Sequence, residues 1–342
     1  MTASFGNPLV EQRELLAGEA AVLLEGRGVL RVWGDDRLKF LNNNLSQELE
    51  NLRAGDSAEA LLLDPHGHIE QVIHVLDDGE ANWLITAAGA AEALAAFLER
   101  MVFRSKVEFE NVTSNFEVWG HFGAKLTAAE SNGVALSFRD PWPEVVAGGV
   151  RYAAESAGEW RYQESLVPAG SSLSSDVKQA GTLALEALRV AAHRPDQATE
   201  VDAKALPHEF DWLTTAVHLK KGCYRGQETV AKVHNLGHPP RRLVFLHLDG
   251  SEVELPAHGA EVFVAGTEAA RGHITSVGNH YEAGPIALAL IARGVDETAL
   301  LEVASDSASA GRIAATQEVI VPASAGKAVD LSPLRTGLLG KR

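Results

Sequence analysis

The sequence predicts an α+β fold that ends in a small β-barrel, on three observations. Short apolar runs with strand-like alternation are interspersed with helix-period segments as far as His238. His238-Pro239-Pro240 then forms a rigid junction. Beyond it come only short strand-like runs, each closed by Gly, Asp or Asn turn residues. The reading divides the chain into an α+β portion over 1–238 made of two interleaved subdomains, a barrel over 241–328, and a loose Gly-rich tail over 329–342.

The elements follow in order. Residues 8–20 read as a helix with Leu15 and Leu16 toward a core, and Val29–Val32 as a strand. Asp35 and Asp36 stand where a helix begins, Leu38, Phe40, Leu41 and Leu45 give its buried side, and Asn42-Asn43-Asn44 ends it. Ala60–Leu63 and Ile69–Leu76 read as strands joined by the turn Asp64-Pro65-His66-Gly67-His68, and Trp83–Thr86 as the next strand. Residues 90–101 form an amphipathic helix with Leu94, Phe97, Leu98 and Met101 on one side. Val107–Val112 and Phe116–Phe122 read as strands, and Asp176 as the cap of a helix over Val177–Ala192. The barrel strands are Leu243–Leu248, Glu261–Val264, Gly272–Val277, Ile286–Ile291, Leu300–Val303 and Gly311–Val321.

Composition excludes several classes. With 46% apolar and 22% charged residues among 342, disorder throughout is excluded. The formal charge of −16 disfavours broad nucleic-acid contact, which needs distributed positive charge. One cysteine cannot make an intrachain disulfide, a thiolate-rich zinc site or a cluster held by several cysteines of one chain. Residues 1–14 lack a basic-then-apolar run, and no apolar stretch reaches 18 residues, so no membrane and a cytoplasmic location are the expectation.

The chemical stretch is Lys220-Lys221-Gly222-Cys223-Tyr224-Arg225-Gly226-Gln227-Glu228. Two glycines around the sole cysteine favour a turn with close backbone approach over a helix. Lys220, Lys221 and Arg225 surround the thiol, and positive neighbours favour the nucleophilic thiolate. From Lys220 to Arg242 there are six Lys or Arg residues and one acid, Glu228, a pattern suited to an anionic ligand. The plainer readings are a cysteine packed as a small apolar residue, Arg241 and Arg242 bracing a junction, and Gln227 and Glu228 pinning the turn. His66, His68 and His74 fall within nine residues, but the turn between them leaves their directions open and no metal is expected. His193, His208 and His218 read as structural or surface residues. The tryptophans Trp33, Trp83, Trp119, Trp142, Trp160 and Trp212 have no periodic spacing and read as core or pocket wall.

Lys221-Gly222-Cys223-Tyr224-Arg225-Gly226-Gln227-Glu228 resembles the signature of the YgfZ family, which is related to the aminomethyltransferase (T-protein) of the glycine cleavage system. The resemblance extends in order through Arg27–Val32 with Gly34-Asp35-Asp36, Ser46-Gln47, Asp64–Ile69, Glu186-Ala187-Leu188-Arg189 and Ala231-Lys232. It implies an aminomethyltransferase-like folate-binding fold, with two α+β portions and a barrel around a central pocket for tetrahydrofolate or a folate derivative. It also implies a role in making or repairing iron–sulfur proteins, with a link to tRNA thiolation, and iron–sulfur assembly or client proteins as partners. On this resemblance Cys223 is the reactive thiol and Lys221 and Arg225 tune it. Arg189, Gly222, Tyr224, Gly226, Gln227 and Glu228 are the folate-side candidates. Two positions depart from the T-protein pattern: Ala93 stands where its helix carries a folate-contacting Asp, and Ala191 where a Glu follows the Leu-Arg pair. Glu92 and Glu209 replace these acids only with a shifted backbone. The readings in competition are a folate-dependent aminomethyltransferase or demethylase and a non-catalytic protein- or RNA-binding module.

Overall fold

The computed structural model describes residues 2–154, 160–250, 255–305 and 311–328. The expected tail over 329–342 lies outside the described residues. Two five-stranded sheets and a closed six-stranded barrel pack together, with helices between them.

The chain opens with α1 (Pro8–Leu16), β1 (Ala20–Leu23), β2 (Arg27–Trp33) and α2 (Arg37–Asn44). β3 (Ser57–Leu63), β4 (Ile69–Asp77) and β5 (Ala81–Ala88) follow as a meander, then α3 (Ala91–Met101) and β6 (Glu108–Asn111). These make the first sheet, in the order β3-β4-β5-β2-β6. Its core packs Leu30, Val32, Leu62, Ile73 and Leu84 under Phe40 and Leu41 of α2 and Leu94 and Leu98 of α3.

The second sheet draws on β7 (Phe116–His121), β10 (Ser137–Arg139), β11 (Gln163–Pro168) and β12 (Lys178–Gln179), with a small hairpin of β8 (Glu130–Ser131) and β9 (Val134–Ala135) beside it. Its order is β10-β11-β7-β1-β12, so β1 crosses from the N-terminal segment into a sheet built mostly by later residues. α4 (Thr182–Ala191), α5 (Gln197–Glu200) and α6 (Gln227–Leu236) precede the barrel. The barrel closes as β13 (Arg241–Leu248), β16 (Gly284–Ala292), β15 (Ala270–His280), β14 (Glu261–Val264), β17 (Leu301–Ala304) and β18 (Arg312–Val319). Alternation splits β13 between two cores. Val244 and Leu246 fill the barrel, while Leu243 and Phe245 join the large core beneath α4.

Three expectations are corrected. The first helix stops at Leu16, because left-handed Gly18 turns the chain and residues 21–23 pair with β7. Leu16 and Met101 face solvent, unlike Leu15, Leu94 and Leu98. The helix expected from Asp176 begins six residues later, at Thr182. The backbone ahead of it is held by distant strands: Lys178 N donates to the Glu19 carbonyl and Ala180 N to the Ala21 carbonyl. The first helical N–H groups then go to the carbonyls of Thr2 and Ala3. No window of local sequence shows these pairings. Among the described residues no helix is long and apolar enough to cross a membrane.

Burial sets the acid response. Desolvation pushes the pKa values of His121, His193 and His208 down to about 4, so all three are neutral in the fold at neutral pH. Between the ordinary value of 6.5 and about 4 the unfolded chain binds more protons at these sites, so folding stability falls as pH drops through that window. Asp211 opposes this. Burial raises it to about 6, against hydrogen bonds from the Tyr152 and Ala153 amides, so its protonation favours the fold below that pH. Three groups outweigh one. Denaturant unfolding is expected to lose on the order of a few kcal/mol between pH 7 and pH 4.5, and His208→Gln to flatten that slope. Stability unchanged over this range contradicts the assignment.

Candidate functional site

The signature stretch is a surface loop that leads into α6. Cys223 is exposed on it. Gly226 adopts a left-handed φ of 81°, and a Cβ there would meet the Asp64 carbonyl oxygen at 2.6 Å and Gly67 Cα at 3.0 Å. Gly67, at the turn between β3 and β4, is left-handed as well and faces Thr229. Two glycine turns that lie far apart in sequence are therefore packed on each other, and they set the loop on the end of the first sheet. A Cβ on Gly222 meets nothing within 4 Å, so close approach is required at Gly226 only.

The cations of this stretch are engaged elsewhere. Lys221 is buried, and its Nζ donates to the carbonyls of Asn42, Leu45 and Gln47 at 2.5, 2.8 and 2.6 Å. These are carbonyls at and just beyond the C-terminus of α2, where the backbone lacks helical partners and a cation is favoured. Burial lowers the Lys221 pKa to about 8, while Glu48 and Glu50 act to raise it. Arg225 pairs with Glu70 at 2.8 Å and lies over the Phe97 ring. Arg241 binds Asp202 and Glu209, and Arg242 points into the barrel onto Gln317 and the Val295 carbonyl. Four of the six cations thus have internal partners, which corrects the expectation of a basic loop open to an anionic ligand. Gln227 Nε2 donates to the Lys221 carbonyl and pins the turn, Tyr224 is buried, and Glu228 is exposed.

A half-open cavity lies elsewhere, between the two sheets and under α4 and α5. It measures about 380 Å³, within the range of small-molecule sites. Leu24, Val72, Trp160, Leu183 and Leu185 form apolar wall. The polar lining carries six carboxylates (Glu25, Glu59, Asp140, Glu164, Glu186 and Asp196) and three guanidinium groups (Arg27, Arg189 and Arg194), with His74 and Tyr162. Of the folate-side candidates chosen from sequence, Arg189 alone lines this space. Gly222, Tyr224, Gly226, Gln227 and Glu228 do not, nor do Ala93 and Ala191. Ala93 and Glu92 are exposed on α3, and Glu209 is buried against Arg241.

The lining is a connected network. Glu164 accepts from His74 Nδ1 at 2.9 Å and from the Tyr162 hydroxyl at 3.3 Å, and lies 3.3 Å from Arg27. Burial opposes its ionisation, but Arg27 and His74 hold its pKa at about 2. Arg189 binds Glu186, Glu200, the Arg194 carbonyl and, from the barrel, Ser276. Arg194 binds Glu59 of β3 at 2.5 Å and Asp140 after β10 at 2.9 Å. Its Nη1 is buried with no acceptor among the described residues. Glu59 is further held by Trp212 and Thr215, and Asp140 by the Trp160 indole. Sequence reasoning found Arg189 here and missed Arg27, Glu59, Asp140, Tyr162, Glu164 and Arg194, which come from five separate segments. No group of three or more His, Cys, Asp or Glu residues suited to a metal ion occurs among the described residues.

The architecture defines the class of protein first. It matches the crystal structure of glycine cleavage system aminomethyltransferase T from Bartonella henselae with a TM-score of 0.69, covering 96% of this chain and 92% of that chain at 17% identity. The chain therefore has the aminomethyltransferase fold. No family model matches it. In sequence it is 26% identical over 255 residues to a putative chloroplastic transferase of Arabidopsis thaliana, covering 68% of this chain and 56% of the relative. It is 26% identical over 251 residues to the mitochondrial iron–sulfur cluster assembly factor IBA57 homologue of Cryptococcus neoformans, covering 66% and 65%. The IBA57 homologue of Mycosarcoma maydis is 25% identical over 239 residues, covering 64% and 54%. The matched region spans 54% to 65% of the length of these relatives. The chain is thus a distant homologue of iron–sulfur cluster assembly factors of the IBA57/YgfZ type.

Lys221 Nζ holds the backbone at the end of α2, and this placement is testable. Lys221→Met leaves three buried carbonyls without a donor and is expected to cost about 2–4 kcal/mol of folding stability. Native labelling of Cys223 by a disulfide reagent is expected to keep its rate within about twofold. A large loss of labelling rate with unchanged stability contradicts the placement.

Proposed function

We propose that this chain is an iron–sulfur cluster assembly or repair factor that binds a reduced folate in the central cavity and presents Cys223 on its surface to a partner or client protein. The observation that carries the reading is the cavity of about 380 Å³ between the two sheets of an aminomethyltransferase fold, in a chain whose relatives include named iron–sulfur assembly factors. The lining suits a pterin, with aromatic and aliphatic wall for the ring and carboxylates that accept from ring N–H and amino groups. Trp160, Tyr162, Glu164, Arg27 and Arg194 are the residues assigned to hold it. When bound, the folate supplies a nitrogen that carries or accepts a one-carbon unit. The chain's own residues orient the ring and keep Glu164 ionised. Any effect on tRNA thiolation follows through an iron–sulfur client enzyme.

A second reading, a folate-dependent aminomethyltransferase or demethylase, has in its favour only that the Arabidopsis relative is named a putative transferase. It lacks the helix carboxylate, since the position holds Ala93 and lies outside the cavity. A module that contacts RNA through its basic loop is disfavoured by the internal pairing of Lys221, Arg225, Arg241 and Arg242.

Calorimetric titration with tetrahydrofolate is expected to show one saturable site. Cys223→Ser is expected to bind within about twofold of the wild type and to fail to restore an iron–sulfur enzyme in cells lacking the chain. Full restoration by the serine form removes the thiol from the function. Absence of binding removes the folate.

A further inference from the structure

Carboxylates match the cations of the cavity two to one. Arg27 lies 3.3 Å from Glu164 and 3.4 Å from Asp196. Arg189 binds Glu186 and, at 3.0 Å, Glu200. Arg194 binds Glu59 and, at 2.9 Å, Asp140. Among the described residues no lysine lines the space. The lining residues exposed to solvent, Glu25, Ala88, Leu183 and Ala198, add a further carboxylate and no cation. The cavity does offer an acceptor. His74 Nδ1 is 2.9 Å from Glu164, an ionised group that can only accept, so Nδ1 carries the proton. In the neutral ring Nε2 is then an acceptor. It has no hydrogen-bond partner among the described residues, since Glu59 Oε1 lies 3.9 Å away, and it is not sealed, so it opens on the cavity.

We infer that the cavity excludes negative charge, so that it holds a reduced folate by the N–H groups of its ring and gains no affinity from the glutamate tail. The inference rests on the folate reading of the cavity and adds which part of the ligand is recognised. A tail carboxylate brought to any of the three guanidinium groups meets two carboxylates already paired with it. Repulsion between like charges is stronger in such a partly buried site than in water. Displacing one of the internal carboxylates leaves that group buried and unpaired, which is costly. Ring N–H and amino groups meet neither obstacle, since carboxylate oxygens and His74 Nε2 accept from them. The tail then stays in solvent beyond Leu183, and its length is not read. Folates with one glutamate and folates with several are equivalent ligands for this chain.

The test keeps the ring constant and changes only the charge of the tail, so it needs no altered protein. The full chain is titrated by calorimetry with tetrahydrofolate, with its diamide, in which both tail carboxylates are amidated, and with tetrahydrofolate triglutamate. A carboxylate held by an available guanidinium contributes about tenfold or more in affinity. Here the diamide is expected to bind as tightly as tetrahydrofolate or more tightly, and the triglutamate no more tightly than tetrahydrofolate. Diamide binding weaker by more than about threefold, or triglutamate binding stronger by more than about threefold, overturns the exclusion of charge and leaves folate binding standing. Binding of none of the three compounds overturns the folate reading and this inference with it.

Discussion

The guanidinium of Arg194 joins the first sheet, through Glu59, to the segment that follows β10 in the second. Around it Arg27 ties β2 to Glu164 of β11, and Arg189 ties α4 to α5 and to Ser276 of the barrel. Buried ion pairs rarely add net stability over apolar packing, because desolvation offsets much of their attraction, but removing one partner leaves an uncompensated charge. Here they line the cavity, so their geometry holds an open space between sheets that apolar side chains would otherwise close. The interior charge that joins the three parts is the same charge that lines the cavity.

The structure separates two features that the signature stretch places together. Its cations support the backbone: Lys221 satisfies carbonyls at the end of α2, and Arg225 braces β4 through Glu70. Its exposed thiol points outward from a loop that contributes nothing to the cavity wall. The proposed folate site and the proposed thiol contact thus have different locations. A short chain of bonds joins the loop to the cavity rim. Arg225 binds the Glu70 side chain, Gln197 Nε2 donates to the Glu70 carbonyl, and Gln197 lines the cavity.

Much of the architecture is legible in the sequence where the signal is local. The six barrel strands, the Asp64–His68 turn and the amphipathic residues of α3 each carry their own period or turn chemistry, and the structure places them there. The helix expected from Asp176 fails for the opposite reason. Residues 178–183 bond to Glu19, Ala21, Thr2 and Ala3, and such long-range competition overrides a capping residue. The cavity was legible only at Arg189, which sits in a helix motif. Glu59 stands one residue before the strand read over Ala60–Leu63, Glu164 lies in a segment read as no element, and their partners Arg194 and Arg27 are about 135 residues away in sequence. The tuning role expected of Lys221 could not be checked from composition, because the acceptors it meets are backbone carbonyls, which every sequence contains.

The claim that ligand capture belongs to the inter-sheet cavity and not to the cysteine loop is tested most directly by hydrogen–deuterium exchange with and without tetrahydrofolate. The account predicts slowed exchange in segments 182–199 and 160–164, with residues 220–226 unchanged. Slowed exchange confined to residues 220–226, with the cavity segments unaffected, would contradict it.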